Sequence, residues 1–172
     1  VQQRWVRRPT TFAERDWVLI GDFENSTQEP IFDQVLREGL TIALQQSRHV
    51  NVFPRTRVFE VLQRMQRADA ARIDEALGRE VCQRENGRVL LAGGIRRSGE
   101  AFQMTVRALE PATGAALFSE SEQFTRKEEL FDLVDSLARR VRKDLGESLT
   151  HIEQSSRPLA KATTRSLKAL QQ

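Results

Sequence analysis

The apolar positions near the start of the chain predict a strand, a helix and a second strand. Residues 17–23 are almost continuously apolar, which is typical of a strand covered on both faces. A polar loop follows, and Pro30 suits a first helical turn because it has no N–H to leave unpaired. Apolar positions then recur at helical spacing up to Gln46, and residues 50–53 form a short strand. This order predicts a βαβ unit with parallel strands and a right-handed crossover.

Two further helices are predicted after this unit. Thr56 is expected to be the N-cap of the first, because its hydroxyl can accept a hydrogen bond from the first helical turn. The inward positions of this helix are Val58, Leu62 and Met65. The buried side of the second helix holds Ile73, Ala76, Leu77 and Val81. Asn86-Gly87 then supplies a left-handed stop.

Three strands are expected next, arranged as an antiparallel meander. Residues 88–95 form a buried strand, and Ser98-Gly99 turns the chain into a strand at 102–109. Apolar and polar residues alternate along this second strand, which indicates that one face is buried and the other is exposed. Pro111-Ala-Thr-Gly114 forms the next turn, and residues 115–124 return as the edge of the sheet.

Two features of the meander carry further expectations. Gly93-Gly94 lies inside a strand and lacks the pattern of a phosphate-binding loop, which favours close packing against a helix, or a bulge. Glu120 and Glu122 on the last strand are expected to discourage pairing of its open edge with another chain.

A long helix with one apolar face completes the predicted domain. Its inward residues are Leu130, Val134, Leu137, Val141 and Leu145, and it is expected to end near Gly146. Residues 151–158 look like a polar linker. The sequence thus predicts an arm at 1–14, one α/β (α+β) domain with a mixed five-stranded sheet at 15–150, and a linker with the start of a following helix at 151–172.

Composition narrows the possible function classes. The pI is near 9.6, but the formal net charge is only +3, and six basic residues are matched by six acidic ones at 126–147. This mixed pattern favours a solvated helix face over a nucleic-acid surface, which needs a stripe of one sign. The single cysteine excludes an internal disulfide. No apolar run approaches the ~18 residues that span a bilayer.

The ends of the chain suggest a larger protein. The sequence begins without methionine or a signal-peptide pattern, so it is expected to be part of a longer chain. Arg4, Arg7 and Arg8 surround Trp5, a combination that often flanks a membrane helix. A disordered arm or an added strand explains the same residues equally well.

The sequence contains no recognisable catalytic or metal-binding pattern. His49 and His151 are far apart along the chain, and no third ligand has zinc-site spacing. Cys82 lies on a helical pattern without a neighbouring histidine, which favours a core position over a nucleophile. We therefore expect no enzyme activity, no metal and no cofactor.

The loop after the first strand is the one candidate binding site. Asp22 and Glu24 lie at the carboxyl end of this strand, where open α/β sheets tend to bind ligands. With Asn25, Ser26 and Thr27 they could form a polar pocket for a ligand or partner. The alternative interpretation, which the side-chain preferences of these residues favour, is that Asp22 and Asn25 cap the loop and the following helix.

Several motifs together resemble the TolB amino-terminal-like domains of bacterial multidomain proteins. The leading motifs are Glu14-Arg15-Asp16, Val18-Leu-Ile-Gly-Asp-Phe-Glu-Asn25 and Pro30-Ile-Phe-Asp33. The match continues through residues 36–40, 44–47, 80–84, 89–95, 113–114, 145–149 and 162–170. Two departures are Gln28-Glu29-Pro30, where Gly-Asp-Pro is usual, and the missing proline at 163–166.

The resemblance implies a non-catalytic module in the bacterial envelope. Some members follow the transmembrane helix of a serine/threonine kinase, and others precede tetratricopeptide repeats. By this resemblance, the domain is expected to be extracytoplasmic, to be tethered to the membrane by a segment outside this chain, and to bind a protein partner or small ligand. A homodimer through the edge strand is compatible with it, whereas nucleic acid is not expected. The alternative function is a structural adaptor that caps the following repeats.

Overall fold

A computed structural model describes residues 16–160 of the chain. The strands are β1 (Asp16–Ile20), β2 (Glu24–Asn25), β3 (Val50–Val52), β4 (Val89–Ser98), β5 (Ala101–Leu109) and β6 (Ala116–Phe124). The helices are α1 (Phe32–Gln45), α2 (Arg55–Arg64), α3 (Glu75–Arg84), α4 (Leu130–Asp144) and α5 (Leu149–Ser155), and a 3-10 turn (Lys127–Glu129) precedes α4. The expectations for the arm at 1–14 and for the helix starting at Ala162 lie outside the described residues.

The strands form one mixed sheet in the order β3-β1-β4-β5-β6. β1 pairs in parallel with β3 and with β4, and the meander from β4 to β6 is antiparallel. The mixed fold, the βαβ unit and the meander are therefore confirmed. The structure adds a sixth strand, because β2 in the predicted loop pairs with Gly94 and Ile95 of β4.

Helices cover both faces of the sheet, which explains why β1 is apolar at successive positions. Val18 and Ile20 point into the core beneath α1 and α4, whereas Leu19 points into a second core beneath α2 and α3. β4 follows the same rule, with Leu90 and Leu91 in different cores. Successive side chains of a strand lie on opposite faces, so each core takes every second residue.

The starts of two helices differ from expectation. α2 begins at Arg55 after Pro54, which is extended, so Thr56 is inside the helix and is not its N-cap. Pro54 occupies the N-cap position, where the backbone is extended, so the helix begins at the following residue. α3 begins only at Glu75, so Ile73 is buried as predicted but precedes the helix. The Asp74 carboxylate is its N-cap and accepts a hydrogen bond from Leu77 N at 2.9 Å. Ala76 is exposed, contrary to prediction, because the buried stripe of α3 runs through Leu77, Gly78, Val81 and Cys82.

Two turns match the sequence. Asn86 ends α3 in the left-handed conformation with φ 55°, so the expected stop is confirmed. Gly114 has φ 74° in the turn before β6. Asparagine and glycine tolerate this region at low cost, which is why they punctuate these connections.

Gly93 and Gly94 allow a close approach of strands, not of a helix. The β4–β5 register runs through both glycines without a bulge. A Cβ on Gly93 would lie 2.8 Å from the Phe23 ring, and one on Gly94 would lie 2.9 Å from the backbone oxygen of Glu24. The predicted tight packing is present, but its partners are Phe23 and β2.

The C-terminal part is more structured than predicted. α4 covers the sheet as expected, with its predicted apolar face buried and the chain turning at Gly146. The segment predicted to be a polar linker instead forms most of α5, with Ser148 as its N-cap. Ile152 and Leu159 are buried against the domain, so α5 packs where a free linker was expected. The division into domains at residue 150 stays a prediction.

Candidate functional site

Asp22 lies just after β1, and both its carboxylate and its backbone N–H are hydrogen-bonded. Its carboxylate accepts hydrogen bonds from Arg37 of α1 at 2.8 Å, from Arg55 of α2 at 3.0 Å and from the Ile73 N–H at 2.7 Å. The Asp22 N–H donates in turn to the Ile73 carbonyl at 2.9 Å. The carboxylate therefore joins three segments that are distant in the sequence.

These contacts govern the ionisation of Asp22. Burial alone would raise its pKa, but the Ile73 N–H and the guanidinium groups of Arg37 and Arg55 stabilise the carboxylate and hold the pKa below its usual value. Asp22 is thus a fixed anion. A general base needs a pKa near the working pH and a free oxygen lone pair facing a substrate. The geometry of Asp22 meets a structural need and leaves it poorly suited to proton transfer.

Asn25 and Thr27 hold the rest of the loop together. The Asn25 Oδ1 accepts from the Thr27 N–H at 3.0 Å and from the Thr27 hydroxyl, while its amide donates to the Glu29 carbonyl at 2.8 Å. The Thr27 hydroxyl oxygen accepts from the Glu29 N–H at 3.1 Å. The alternative weighed from the sequence holds for Asn25, which caps the loop. It is wrong for the following helix, because α1 has no side-chain cap and the Asp22 carboxylate bonds to distant segments instead.

Glu24 and Ser26 are the exposed members of the predicted site. The Ser26 N–H donates to the Ile95 carbonyl, which extends the pairing of β2 with β4. Glu24 lines a polar cavity of about 290 Å³ together with Asp22, Gly93 and residues of the α3 start. The structure thus brings the five predicted residues into one loop, with Glu24 and Asp22 facing the same cavity. Their role in binding a ligand stays a prediction.

The polar groups around this cavity are engaged with each other. Arg107 of β5 contacts Glu75 at 2.9 Å, and Arg72 donates to the Phe23 carbonyl at 2.6 Å. Asp74 is occupied by its capping bond to α3. The arrangement resembles a hydrogen-bonded seam between the loop and α3 more than an open binding site.

A larger cleft lies on the other side of Asp22 and was not expected from the sequence. It has a volume of about 400 Å³ and lies between α1 and the start of α2. Ile20, Val52 and Phe53, at or just beyond the carboxyl ends of β1 and β3, line its floor. The only signal in the sequence was that two adjacent parallel strands end there, which is where open α/β sheets place ligands.

The remaining candidates for chemistry are structural. Cys82 is fully buried in α3, and burial raises the pKa of its thiol to about 12, which favours the protonated form at neutral pH. The His49 Nε2 lies 3.0 Å from the Leu145 carbonyl, and His151 is an exposed residue of α5. Within residues 16–160, no three His, Cys, Asp or Glu side chains are grouped so as to hold a metal ion. No helix in that part of the chain is long and apolar enough to span a bilayer.

The role of Asp22 as a joint, meaning the carboxylate that links β1, α1, α2 and the segment before α3, can be tested by measuring the stability of a variant. Asp22→Asn is expected to lower the free energy of unfolding by roughly 2–3 kcal/mol, since two guanidinium groups lose a buried charged acceptor. Because folding lowers the pKa of Asp22, this contribution is present above the ordinary value of 3.8 and is lost as the pH falls through the lower folded value. Urea denaturation at neutral and acidic pH measures both effects.

Glu24→Gln is the matched control for Asp22→Asn. Glu24 lies on the same loop but is exposed, so its change is expected to stay within about 0.5 kcal/mol. Equal effects of the two substitutions would contradict the assignment of Asp22 as the joint.

The fold is shared with bacterial proteins of known structure. The C-terminal domain of LpoB from Salmonella enterica superposes with a TM-score of 0.59 at 11% identity, covering 68% of this chain and 87% of that chain. PelC from Paraburkholderia phytofirmans, solved as a dodecamer, gives 0.51 at 16% identity, covering 79% and 91%. Lipoprotein GNA1162 from Neisseria meningitidis gives 0.51 at 16% identity, covering 77% and 98%. No protein-family model and no curated protein matches the chain.

At these identities the similarity establishes the fold and leaves function open. The expected α+β architecture is confirmed, and it occurs in proteins of bacterial origin that include a lipoprotein. Membership of the TolB amino-terminal-like group, a kinase or repeat context, and a tether stay predictions.

Proposed function

We propose that this domain is a non-catalytic protein-interaction domain of a bacterial envelope protein, and that β6 is its principal contact surface. The observation that supports this most directly is the open edge of the sheet. Among the described strands, β6 pairs only with β5, so this nine-residue strand forms an edge of the sheet within residues 16–160. An edge of this length can bind an added strand through main-chain hydrogen bonds.

The charges on β6 favour such pairing more than the sequence suggested. Glu120 and Glu122 were expected to repel a second strand, but both carboxylates are paired with Arg140 of α4, at 3.2 and 2.6 Å. Their charge is therefore directed toward the helix and partly neutralised. The exposed residues of the strand are Ala116, Ser119, Ser121 and Gln123. An incoming strand thus meets neutral side chains at the edge.

The comparisons support the envelope setting and an interaction role. One protein with this fold is named as a lipoprotein, and another was solved as a dodecamer, which shows that the fold is compatible with assembly in that protein. We extend the envelope location to this chain, with a membrane tether outside it. A more specific form of the proposal is kinase signalling, in which binding of a partner or ligand changes the association or orientation of the tethered kinase.

The adaptor alternative is favoured by the docking of α5. Leu159, which follows α5, is buried against α1 and α4, and its N–H donates to Asp135 at 3.0 Å. Because this part of the chain is fixed to the domain, the segment that follows it would have a defined orientation relative to the domain. Tetratricopeptide repeats after residue 172 are the predicted recipient of that orientation.

Site-specific crosslinking in the full-length protein tests the proposed surface. A photoreactive amino acid at Ser119 is expected to give a discrete adduct, with a second copy or with another envelope protein, in the native bacterium. The matched control is the same amino acid at Glu80, which is exposed on α3 and far from the edge. No adduct at Ser119, or equal adducts at both positions, would count against β6 as the contact surface. Turnover by the purified protein that Asp22→Asn abolishes would overturn the non-catalytic assignment.

A further inference from the structure

The cleft between α1 and α2 has the walls of a small-molecule site. Five of its residues are apolar, and all but one are buried: Ile20, Ile42, Val52, Phe53 and Val58. A volume of about 400 Å³ is in the range of pockets that enclose small ligands. A ligand that displaces water from an apolar cleft of this size gains binding free energy through the hydrophobic effect. The walls therefore favour a hydrocarbon group.

Two arginines and one glutamate, Glu38, are the charged residues that line the cleft. Arg37 and Arg55 both line it, and both are fixed by the same carboxylate of Asp22, which is not itself a lining residue. The Arg55 Nη2 donates to both Asp22 oxygens at 3.0 Å. Asp22 thus holds two guanidinium groups in place next to the apolar walls. Such preorganised donors are suited to a carboxylate.

The two guanidinium groups retain donors that form no hydrogen bond within the described part of the chain, residues 16–160. The Arg55 Nη1 is buried and has no hydrogen-bond partner within residues 16–160. The Arg37 Nη2 lies 3.9 Å from the nearest oxygen of Glu38, which is too long for a hydrogen bond. Buried donors are normally paired, so an unpaired donor on a residue that lines the cleft favours an acceptor bound beside it.

We propose that this cleft binds a small aliphatic monocarboxylate. The carboxylate accepts hydrogen bonds from Arg37 and Arg55, and the hydrocarbon chain lies against Ile42, Val52 and Val58. A phosphate ester fits less well, because Glu38 also lines the cleft and adds to the repulsion of a second negative charge. The proposal is independent of the β6 surface, since the cleft and the edge strand share no residue.

Octanoate is the probe for this proposal. Titration of the full chain, followed by amide chemical shifts in NMR, is expected to give saturable changes at Thr41, Ile42 and Phe53. Octanol lacks the carboxylate and acetate lacks the chain, so each is expected to bind at least tenfold more weakly. Absence of saturable shifts at millimolar octanoate, or equal affinity for octanol, would overturn the proposal.

Two variants with matched controls separate the two halves of the site. Arg55→Gln is expected to weaken octanoate at least tenfold, whereas Arg64→Gln, on the exposed side of the same helix, leaves the affinity unchanged. Arg55→Gln also removes a partner of Asp22, so Ile42→Trp provides a second test by filling the half-buried wall. Ile31→Trp, outside the cleft, is its control. Unchanged octanoate affinity in Arg55→Gln or in Ile42→Trp would refute the assignment of the cleft.

Discussion

Arg142→Met is expected to lower the free energy of unfolding by roughly 3–5 kcal/mol, because it leaves a carboxylate buried without its cation. The Arg142 and Glu147 side chains are each only 1% exposed. Two hydrogen bonds join them, from Nε to Oε2 at 2.7 Å and from Nη2 to Oε1 at 2.8 Å. Urea denaturation followed by circular dichroism measures the loss.

The pair also holds three segments together. The Glu147 Oε2 accepts from the Ser47 hydroxyl at 2.7 Å, which ties the end of α1 to the end of α4. Arg142 donates to Ser155 at 2.6 Å and to Ser156 at 2.9 Å, which fixes the end of α5. Removing the guanidinium group is therefore expected to release α5 before the rest of the domain. Hydrogen exchange of the α5 amides checks this order.

Arg139→Met is the control on the same helix. Arg139 is exposed, so its substitution is expected to change stability by no more than about 0.5 kcal/mol. The double variant Arg142→Met/Glu147→Gln is expected to be more stable than Arg142→Met alone, because it also removes the stranded charge. A double variant less stable than the single one would contradict the explanation by an unpaired buried carboxylate.

The effect of Arg142→Met is expected to depend on pH. Burial alone would raise the pKa of Glu147, but the bonds from Arg142 and Ser47 and the nearby His49 lower it below its usual value. The pair thus contributes stability above the ordinary pKa of 4.5 and loses it as the pH falls through the lower folded value. The stability difference between the unsubstituted chain and Arg142→Met should therefore narrow in acid.

Gly93→Ala is expected to cost about 3 kcal/mol or more, since no side chain fits at this position of β4. A Cβ there would lie 2.1 Å from the Thr105 carbonyl oxygen and 2.8 Å from the Phe23 ring. The oxygen belongs to β5 and cannot move without disturbing the antiparallel pairing, in which Gly93 lies opposite Val106. For a chain of this length the midpoint of thermal unfolding should fall by roughly 6–12 °C.

Gly99→Ala tests whether this loss comes from the clash. Gly99 has φ 62°, but a Cβ there meets nothing within 4 Å. Its substitution is expected to cost only about 1–2 kcal/mol, from the left-handed backbone. If Gly93→Ala were no more damaging than Gly99→Ala, the close approach of Phe23 and β5 would not limit this position.

Some errors in the interpretation of the sequence have a common origin. Thr56 is a good N-cap residue, yet Pro54 sets the start of α2, so the preference of one residue was overruled by its neighbour. α5 was missed because it is only seven residues long and buries Ile152 alone. A helix this short has little periodicity of its own, and its stability comes from packing against α4 and from Arg142.

The candidate site shows a different limit. The sequence identified the loop and the possibility that Asn25 serves as a cap, because its side chain acts on neighbouring backbone. It could not identify Arg37 and Arg55 as the partners of Asp22, since they lie 15 and 33 residues away. The cleft was missed for the same reason, because its walls come from α1, α2 and the ends of two strands.

The sequence by itself determined the order of helices and strands, the parallel and antiparallel parts of the sheet, and most of the buried faces. These properties follow from backbone preferences and from the spacing of apolar residues, which act over a few neighbouring positions. Only the tertiary structure decided that Arg142 is buried with Glu147, that Gly93 faces Phe23, and that two arginines meet at Asp22. Ion pairs and close contacts depend on distances in space between residues that are far apart in the sequence. The alternation of apolar and polar residues along the chain does not encode those distances.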